Sequence, residues 1–546
     1  MSPSRLSLII AGLASCASLL PAATLVWDGG DVDDSNWSSG DNWVGNVAPA
    51  NPALPTAPDI IQFAGSTRTT PTTDAAWNVD TLHFNASTAS FQLSGQTLTF
   101  QPSNGTSHDD RYFLVNNSGT LQTINNNIVV KNALTGTSLG SGISVGSGSL
   151  ILNGNLDING ISALRFQNAT GSGSVTINGV ISGTPVGAIA VNSGATAIFN
   201  NVNTYVQGTI VWNGTLKLGA SSLNGQAGSL GNSSSSVTMG HASSPGARLL
   251  TSAAVTIGRD VHFVKNTGNN AYTVGGDSAH VSSFTGTIYT GNTGAADSNA
   301  GQVTAVANGR VNINSITRRS DATSGSAGLD TITKTGAGIV ALTGTSNYSG
   351  QTTVSAGTLL VNGALSATSP NAASVGTVVV STAARLGGTG TINRAVTIQN
   401  GGILSAGDVD AAGISLGGKL TLGAGLTLSS TSVLNFDLST PGSLLDDEIS
   451  VTGNLTLDGV LNITNLGGLG NGSYKLFDYT GTLTDNTLTF GTTPGGFSYS
   501  IDTTSFANAV YVNVTPEPGM ASLFGLGLAA LIWRRRRPAG EEGYRR

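Results

Sequence analysis

The sequence has little charge and almost no cysteine. Only 10% of its 546 residues are charged, well below the ~25% of ordinary soluble domains. The single cysteine, Cys16, lies in an apolar leader. Disulfide bonds, zinc–thiolate sites and cysteine nucleophiles are therefore not expected in the rest of the chain. Its stability has to come from packing and hydrogen bonding.

Basic residues are also scarce. The chain has 23 Lys and Arg against 29 Asp and Glu, a net charge of −6. Six of the basic residues lie close to the C-terminus, at 534–537, 545 and 546, so the body is more acidic than this figure indicates. Because phosphate binding needs clustered Lys and Arg, we expect no nucleic-acid partner.

The body of the chain is rich in glycine and in short alternating apolar runs. Segments such as 173–184 and 413–439 place apolar residues at period two between Asn-Gly or Gly-Gly breaks. This pattern predicts short strands with one buried face and no amphipathic helix. Asn-Gly turns also suit a sandwich of hairpins. The pattern continues from about residue 90 to 514 without a domain-like break, which favours a β-solenoid.

The first 23 residues have the layout of a secretory signal peptide. Arg5 precedes an apolar run over 6–20, and the small residues Ala22 and Ala23 follow. We expect export through the Sec pathway with cleavage after Ala22 or Ala23. An alternative is that 13–16 ("LASC") acts as a lipoprotein box, with Cys16 lipidated after cleavage.

One segment, 331–363, is the best repeat of a region that we assign to 91–440. It resembles the autotransporter-associated β-strand repeat, also called the passenger-associated transport repeat. A degenerate copy lies at 205–219. The matching positions are Thr333, Lys334, Thr335, Gly336, Gly338, Asn347, Tyr348, Gly350, Thr353, Val354, Gly357, Thr358 and Leu359. The resemblance implies an all-β fold, a right-handed parallel β-helix (β-solenoid) of the kind found in exported passenger domains.

The segment 24–90 is rich in tryptophan, and its opening resembles the start of such passenger proteins. Trp27, Trp37 and Trp43 are half of the six tryptophans in the chain. We interpret this region as an N-terminal cap that closes the open end of the β-helix. The alternative is a carbohydrate-binding or adhesin-like module that uses Trp37, Trp43 or Trp77 to stack on sugars.

Residues 441–514 are predicted to form terminal strands with a cap. A tail follows at 515–538, and the final stretch, 539–546, has no predicted role. The tail places Pro516-Glu517-Pro518 before the apolar run 520–533. We expect this run to form a short hydrophobic helix, although a full membrane span needs ~20 residues. Arg534, Arg535, Arg536 and Arg537 would then stop transfer on the cytoplasmic side.

This three-part tail resembles the PEP-CTERM sorting signal of Gram-negative bacteria. The resemblance implies recognition of Pro516, Glu517 and Pro518 by an exosortase and removal of the tail. The chain would be inserted transiently in the inner membrane and then delivered to the cell surface or to an extracellular exopolysaccharide matrix. Its expected partners are the exosortase and an extracellular polysaccharide or other surface proteins.

No convincing catalytic constellation is present, so we expect a protein that is not an enzyme and needs no cofactor or metal. The five histidines lack metal-ligand spacing, and the acidic clusters at 28–34 and 446–448 fit solvated loops. A β-helical polysaccharide lyase or glycoside hydrolase remains the enzymatic alternative, because distant turns can bring carboxylates together. Its best local candidates are Arg318 and Arg319 beside Asp321.

Overall fold

The computed structural model describes residues 23–51, 58–102, 112–131, 141–159, 161–168, 171–185, 187–240, 246–264, 272–291, 300–320, 330–370, 372, 374–409 and 415–517. The chain divides into two compact units, 1–187 and 188–546. Within these described ranges the one helical element is a short 3₁₀ turn, Gly40–Asn42, and no helix is long and apolar enough to cross a membrane.

The first unit consists of three parallel sheets, and after Thr24–Trp27 each turn of the chain contributes one strand to each sheet. The first sheet contains Thr24–Trp27, Ile60–Phe63, Leu82–Phe84, Tyr112–Asn116, Ser141–Val145 and Leu164–Asn168. The second sheet contains Thr72–Thr73, Gln92–Gly95, Gln122–Ile124, Leu150–Leu152 and Ser174–Ile177. The third sheet contains Trp77–Val79, Leu98–Phe100, Ile128–Val130, Leu156–Asp157 and Ile181–Ser182.

The second unit repeats this arrangement with more turns. Its first sheet contains Ile189–Val191, Thr209–Val211, Val237–Met239, Val261–Phe263 and the second halves of Val281–Thr290 and Arg310–Arg318. A separate sheet continues this side of the second unit, joined by the Asn347 amide, which donates to the Ile316 carbonyl at 2.9 Å. Its parallel strands are Thr345–Ser346, Ala364–Leu365, Thr391–Ile392, Lys419–Leu422, Glu448–Val451 and Gly472–Tyr479. Its second sheet contains Thr196–Phe199, Thr215–Leu218, Arg248–Thr251, Tyr272–Gly276, Ala300–Ala305, Thr331–Thr335, Thr352–Val354, Val378–Val380, Val396–Ile398, Leu426–Leu428, Leu455–Leu457 and Leu483–Asp485.

The third sheet of the second unit begins later in the chain than the other two. It contains Thr256–Ile257, the first halves of Val281–Thr290 and Arg310–Arg318, Ile339–Leu342, Thr358–Val361, Arg385–Gly387, Ile403–Leu404, Val433–Leu438, Val460–Asn465 and Thr489–Phe490. A short antiparallel pair, Asp408–Val409 with Ser415–Leu416, is inserted after Ile403–Leu404.

The in-register stacking of these strands forms the core. In the second sheet of the second unit, Val354, Val380, Ile398 and Leu428 are partners in successive strands, and all four are buried. Alternate residues on these strands point outward, which produces the period-two pattern of the sequence. A strand of three residues cannot bury its own apolar side chains, so each turn depends on the turns above and below.

These sheets confirm the prediction of an all-β, parallel β-helix fold; its right-handed sense stays a prediction. Parallel strands are already present at Thr24–Trp27, within the predicted cap region, and the last lies at Thr489–Phe490. The predicted signal peptide lies outside the described residues except for Ala23, and so does the predicted C-terminal helix.

A buried aromatic cluster lies beside the first strand. The Trp27 and Trp43 ring centroids are 5.2 Å apart, and those of Trp37 and Trp43 are 5.7 Å apart, both edge to face. Trp43 forms an antiparallel bridge with Trp27, and the Val44 amide donates to the Val26 carbonyl at 2.9 Å. The segment after the first strand thus covers the strand's free edge, which would otherwise invite pairing with another chain.

The last turns of the second unit are closed by antiparallel strands. Ala509–Pro516 pairs with Gly472–Tyr479 on one side and with Phe497–Asp502 on the other. Val510, Val512 and Val514 of this strand are fully buried. The hairpin therefore covers the outer edge of Gly472–Tyr479, while Leu483–Asp485 and Thr489–Phe490 are the last parallel strands of the other two sheets.

Replacing Trp43 with alanine should destabilise the first unit strongly. The side chain is fully buried, and its indole Nε1 donates to the Trp37 carbonyl at 2.9 Å. Loss of such a side chain costs about 3–5 kcal/mol. The effect is measured on the full chain by unfolding it in urea and using limited proteolysis to report when residues 23–187 become cleavable. The half-buried Trp212, replaced with alanine, is the control, and an equal loss in both variants would contradict the assignment.

Candidate functional site

The predicted sorting tripeptide begins inside the final strand. Pro516 is the last residue of Ala509–Pro516 and pairs with Phe497. The Glu517 amide donates to the Gly496 carbonyl at 3.1 Å, and both Pro516 and Glu517 are exposed. Proline is tolerated there because the end of a strand does not need its missing N–H. Pro518 and the predicted stop-transfer residues Arg534, Arg535, Arg536 and Arg537 lie outside the described residues.

The predicted signal-cleavage residues lie at the opposite end of the sequence. Ala23 is exposed and directly precedes the first strand. Its carbonyl accepts a hydrogen bond from the Ile60 amide at 2.8 Å. Ala22 and the alternative lipidation residue Cys16 are outside the described ranges.

The lysine of the repeat motif is a structural residue. Lys334 points into the β-helix, where its partners in the neighbouring strands are Val303 and Val354, and it is fully buried. Its Nζ donates three hydrogen bonds of 2.8–2.9 Å, to the carbonyls of residues 335, 336 and 356. Burial lowers the pKa of Lys334 to about 8. The ammonium therefore satisfies carbonyls at two successive corners that would otherwise be unpaired.

The tyrosine of the repeat motif also organises a corner. Tyr348 is fully buried, and its hydroxyl lies 2.6 Å from the Thr352 hydroxyl. The guanidinium of Arg394, from a later turn, lies 4.6 Å from the ring centroid and donates to the Tyr348 carbonyl. Such a contact combines cation–π attraction with hydrogen bonding.

The degenerate copy forms the same corner. The Tyr205 hydroxyl lies 2.9 Å from the Thr209 hydroxyl, and Tyr205 is fully buried. The buried Arg259 of a later turn donates to the Leu230 carbonyl at 3.2 Å. The two copies nevertheless precede different sheets, because Thr209–Val211 belongs to the first sheet and Thr352–Val354 to the second.

The acidic cluster at 28–34 serves turn geometry. The carboxylates of Asp28, Asp31 and Asp34 each accept a backbone amide two residues further along the chain, at 2.8–3.1 Å. These are Asx turns, in which a side chain replaces a backbone hydrogen-bond acceptor. No cluster of His, Cys, Asp and Glu suited to a metal ion occurs among the residues that the structure describes.

Arg318 and Arg319, the arginines considered for an enzymatic site, have different surroundings. Arg318 forms an ion pair with Asp330 at 2.5 Å, and both side chains are almost completely buried. Arg319 lies beside His262, with Arg319 Nη1 3.2 Å from the ring Nδ1. Asp321 lies outside the described residues. The structure therefore does not bring Arg318 to a surface where substrate could reach it.

Two buried carboxylates were not singled out as a pair by the sequence. Asp447 accepts the Asp437 amide at 3.0 Å and the Gly418 amide at 2.9 Å. Burial raises the pKa of Asp447 to about 8. A perturbed carboxyl is a candidate catalytic acid, but Asp437 and Asp447 are only 3% and 0% exposed. A substrate cannot reach these two carboxylates. The hydrogen bonds of Asp447 instead hold the backbone at Asp437 and Gly418 in place.

A polar groove of about 570 Å³ lies on the outer face of the third sheet in the second unit. The inserted antiparallel pair flanks it, and Val409 covers the outward-facing Ala341 and Leu360. The polar residues that line the groove are Ser283, Thr285, Arg310, Asn312, Asn314, Thr343, Asn362 and Asp408. Amide and hydroxyl groups therefore dominate its surface.

An ion pair between distant turns holds this groove together. Arg310 donates to both carboxylate oxygens of Asp408, at 3.0 and 3.1 Å, and to the Val409 carbonyl at 2.6 Å. Asn362 donates to the same carboxylate at 2.8 Å. Although burial alone would raise it, the bonds from Arg310, Val409 and Asn362 hold the pKa of Asp408 below its usual value. Sequence reasoning missed this site; its only signal is the break in alternation after Leu404.

The tryptophans proposed as sugar platforms are not accessible. Trp37 and Trp43 are 0% exposed, and Trp77 is 5% exposed. Stacking on a sugar needs an open ring face, so these three residues do not provide one. Their position in the aromatic cluster agrees with a packing role.

Two motif families match parts of the chain. The passenger-associated-transport-repeat family matches residues 332–361, and the PEP-CTERM protein-sorting motif matches residues 514–537. The chain therefore carries both motifs, and together they mark it as an exported, surface-associated protein. The sorting motif implies processing by an exosortase.

The chain is also similar to the adhesin BmaC autotransporter of Brucella suis biovar 1 (strain 1330). The two are 44% identical over 91 residues, which is 16% of this chain. The chain spans only 3% of that relative's length. The likeness thus concerns a short stretch of an adhesin rather than the whole protein.

Replacing Asp408 with asparagine should loosen the inserted pair in a pH-dependent way. Because the folded-state pKa is lowered, the ion pair contributes stability above the ordinary carboxyl pKa and loses it as pH falls through the folded value. At pH 7 we expect a loss of about 1–2 kcal/mol. Hydrogen exchange of residues 405–409 measures it at pH 7 and at successively lower pH.

The matched control for this variant is Asp458→Asn, which removes a carboxylate that accepts the Gly459 amide. It should leave the exchange of residues 405–409 unchanged. If Asp408→Asn accelerated exchange by the same factor at every pH, the ion pair would not be the cause.

Proposed function

We propose that this protein is a non-enzymatic β-helix protein of the cell surface or extracellular matrix, sorted and cleaved by an exosortase at its tail and associated with extracellular polysaccharide. The observation that carries the proposal is the continuity of the sorting motif with the last strand of the fold. Residues 514–537 match the motif, while residues 514–516 are paired within the terminal hairpin.

The short connection at this point supports transient anchoring. Only Pro518 and Gly519 separate Glu517, whose amide is bonded to Gly496, from the apolar run 520–533. Two extended residues span about 7 Å. With the run inserted in the inner membrane, the terminal hairpin would be held at the bilayer surface, where an exosortase reaches the exposed Pro516 and Glu517.

The outer faces of the β-helix support association with polysaccharide. The groove beside Arg310 and Asp408 offers amide and hydroxyl groups, which exchange hydrogen bonds with hydroxyl-rich ligands. Its one carboxylate and its guanidinium are bonded to each other, so the groove carries little net charge. Similarity to part of an adhesin agrees with a binding role.

The enzymatic alternative gains no specific support. A glycosidase needs an acid and a base that flank the scissile bond. In the described part of the chain, the carboxyl with a strongly raised pKa is buried, and the groove's carboxylate is held ionised by Arg310. We therefore propose binding rather than turnover.

Removing residues 518–537 should abolish sorting while leaving the last strand intact. In the wild type, the intact mass of the protein recovered from the cell envelope and medium should correspond to a chain whose C-terminus lies within Pro516–Pro518. The truncated protein should leave the surface fraction. Deletion of 539–546 alone is the control and should not alter localisation. A mature wild-type mass that still includes 520–546 would overturn cleavage of the tail.

The double variant Asn314→Ala and Thr343→Ala should weaken binding to matrix polysaccharide several-fold. Both side chains are exposed in the groove, so their loss removes ligand contacts with little effect on packing. Affinity electrophoresis in gels that contain the polysaccharide measures the change. Thr333→Ala with Thr353→Ala, two cross-strand partners on another face, is the control. Equal retardation of all three proteins would contradict a role for the groove.

A further inference from the structure

We propose that the export signal is cleaved between Ala22 and Ala23, and that the new α-ammonium group of Ala23 forms an ion pair with Asp59 that fastens the N-terminus to the fold. This inference rests on the proposed export of the protein. It selects one of the two bonds that the sequence leaves open, and it assigns to Asp59 a function that the motifs do not predict.

The Asp59 carboxylate already accepts a hydrogen bond from the residue that this cleavage would make N-terminal. The Ala23 amide nitrogen donates to Asp59 Oδ1 at 3.1 Å. The other carboxylate oxygen, Oδ2, accepts the Ala50 amide at 2.8 Å. The carboxylate thus joins the start of the first strand to the segment that leads into Ile60–Phe63.

Cleavage at this bond strengthens an interaction that exists in the uncleaved chain. A signal peptidase adds water across the Ala22–Ala23 peptide bond, so the carboxylate remains on Ala22 and the amine on Ala23. That amine binds a proton at neutral pH, because α-amino groups have a pKa of about 7.7–8.0. A neutral amide donor beside Asp59 becomes a charged one, and charge-assisted hydrogen bonds are roughly twice as strong.

Cleavage one bond later would remove contacts. It would delete the Ala23 carbonyl, which accepts the Ile60 amide at 2.8 Å. It would also delete the amide that Asp59 binds. Lipidation at Cys16 would instead leave residues 17–22 attached, and the Ala23 nitrogen would stay a neutral amide. The observed hydrogen bonds therefore favour Ala23 as the first residue.

N-terminal sequencing of the protein from the cell envelope tests the cleavage site. A chain that begins at Ala23 is the expected result. A chain that begins at Thr24, or at a lipidated Cys16, would overturn this inference but leave export intact. A chain that keeps residues 1–22 without cleavage would instead contradict the proposed export.

A double-mutant cycle tests the ion pair. Chains that run from residue 23 to 546 are compared with chains that carry one added glycine before Ala23, which displaces the ammonium by one residue. We expect the added glycine to lower Tm by about 1–3 °C in the wild type and to have no effect in Asp59→Asn, because the charged partner is then absent.

The matched control is Asp74→Asn, which removes a carboxylate of the same unit that accepts the Ser38 amide. In this background the glycine should lower Tm as much as in the wild type. The effect should also shrink as salt is raised. An equal effect of the glycine in the wild type and in Asp59→Asn, or none in the wild type, would overturn the ion pair.

Discussion

The sheets and the apolar core of this protein depend on backbone hydrogen bonds between successive turns of the chain. Strands of two to six residues account for most of the three sheets in each unit, and such strands are too short to be stable alone. Parallel pairing in register places like side chains above one another, so that one apolar column is shared by many turns. Lys334 shows how strict this arrangement is, because its ammonium can replace an apolar side chain only by binding three corner carbonyls.

In a fold of stacked turns, the first and last strands lack a neighbouring turn on one side, and packing of the core does not pair their backbone groups. Each terminal turn exposes backbone groups that could pair with another chain. Antiparallel segments cover two of these terminal strands: residues 43 and 44 lie against the first strand, and the terminal hairpin lies against Gly472–Tyr479. Exposure of Pro516 and Glu517 is a result of the second arrangement, since the hairpin carries them to its outer end.

The sequence predicted those features that depend on local patterns. Period-two alternation gave the strands, and the spacing from Tyr348 to Gly357 and from Tyr205 to Gly214 identified related corners. Contacts between distant turns could not be predicted, because no local signal reports them: Arg310 and Asp408 are separated by 98 residues, and Ala23 and Asp59 by 36. Charged side chains such as Arg318 and Lys334 are expected at the surface, yet both are buried. Arg318 is buried as an ion pair with Asp330, and Lys334 is buried with its ammonium bonded to corner carbonyls.

The two tyrosine corners have an implication for how such a chain can lengthen. The same hydrogen-bonded unit precedes the first sheet at Tyr205 and the second at Tyr348. Two of the three sides of the β-helix therefore host the same corner. A repeat of this kind is therefore not restricted by its corner to one side of the β-helix.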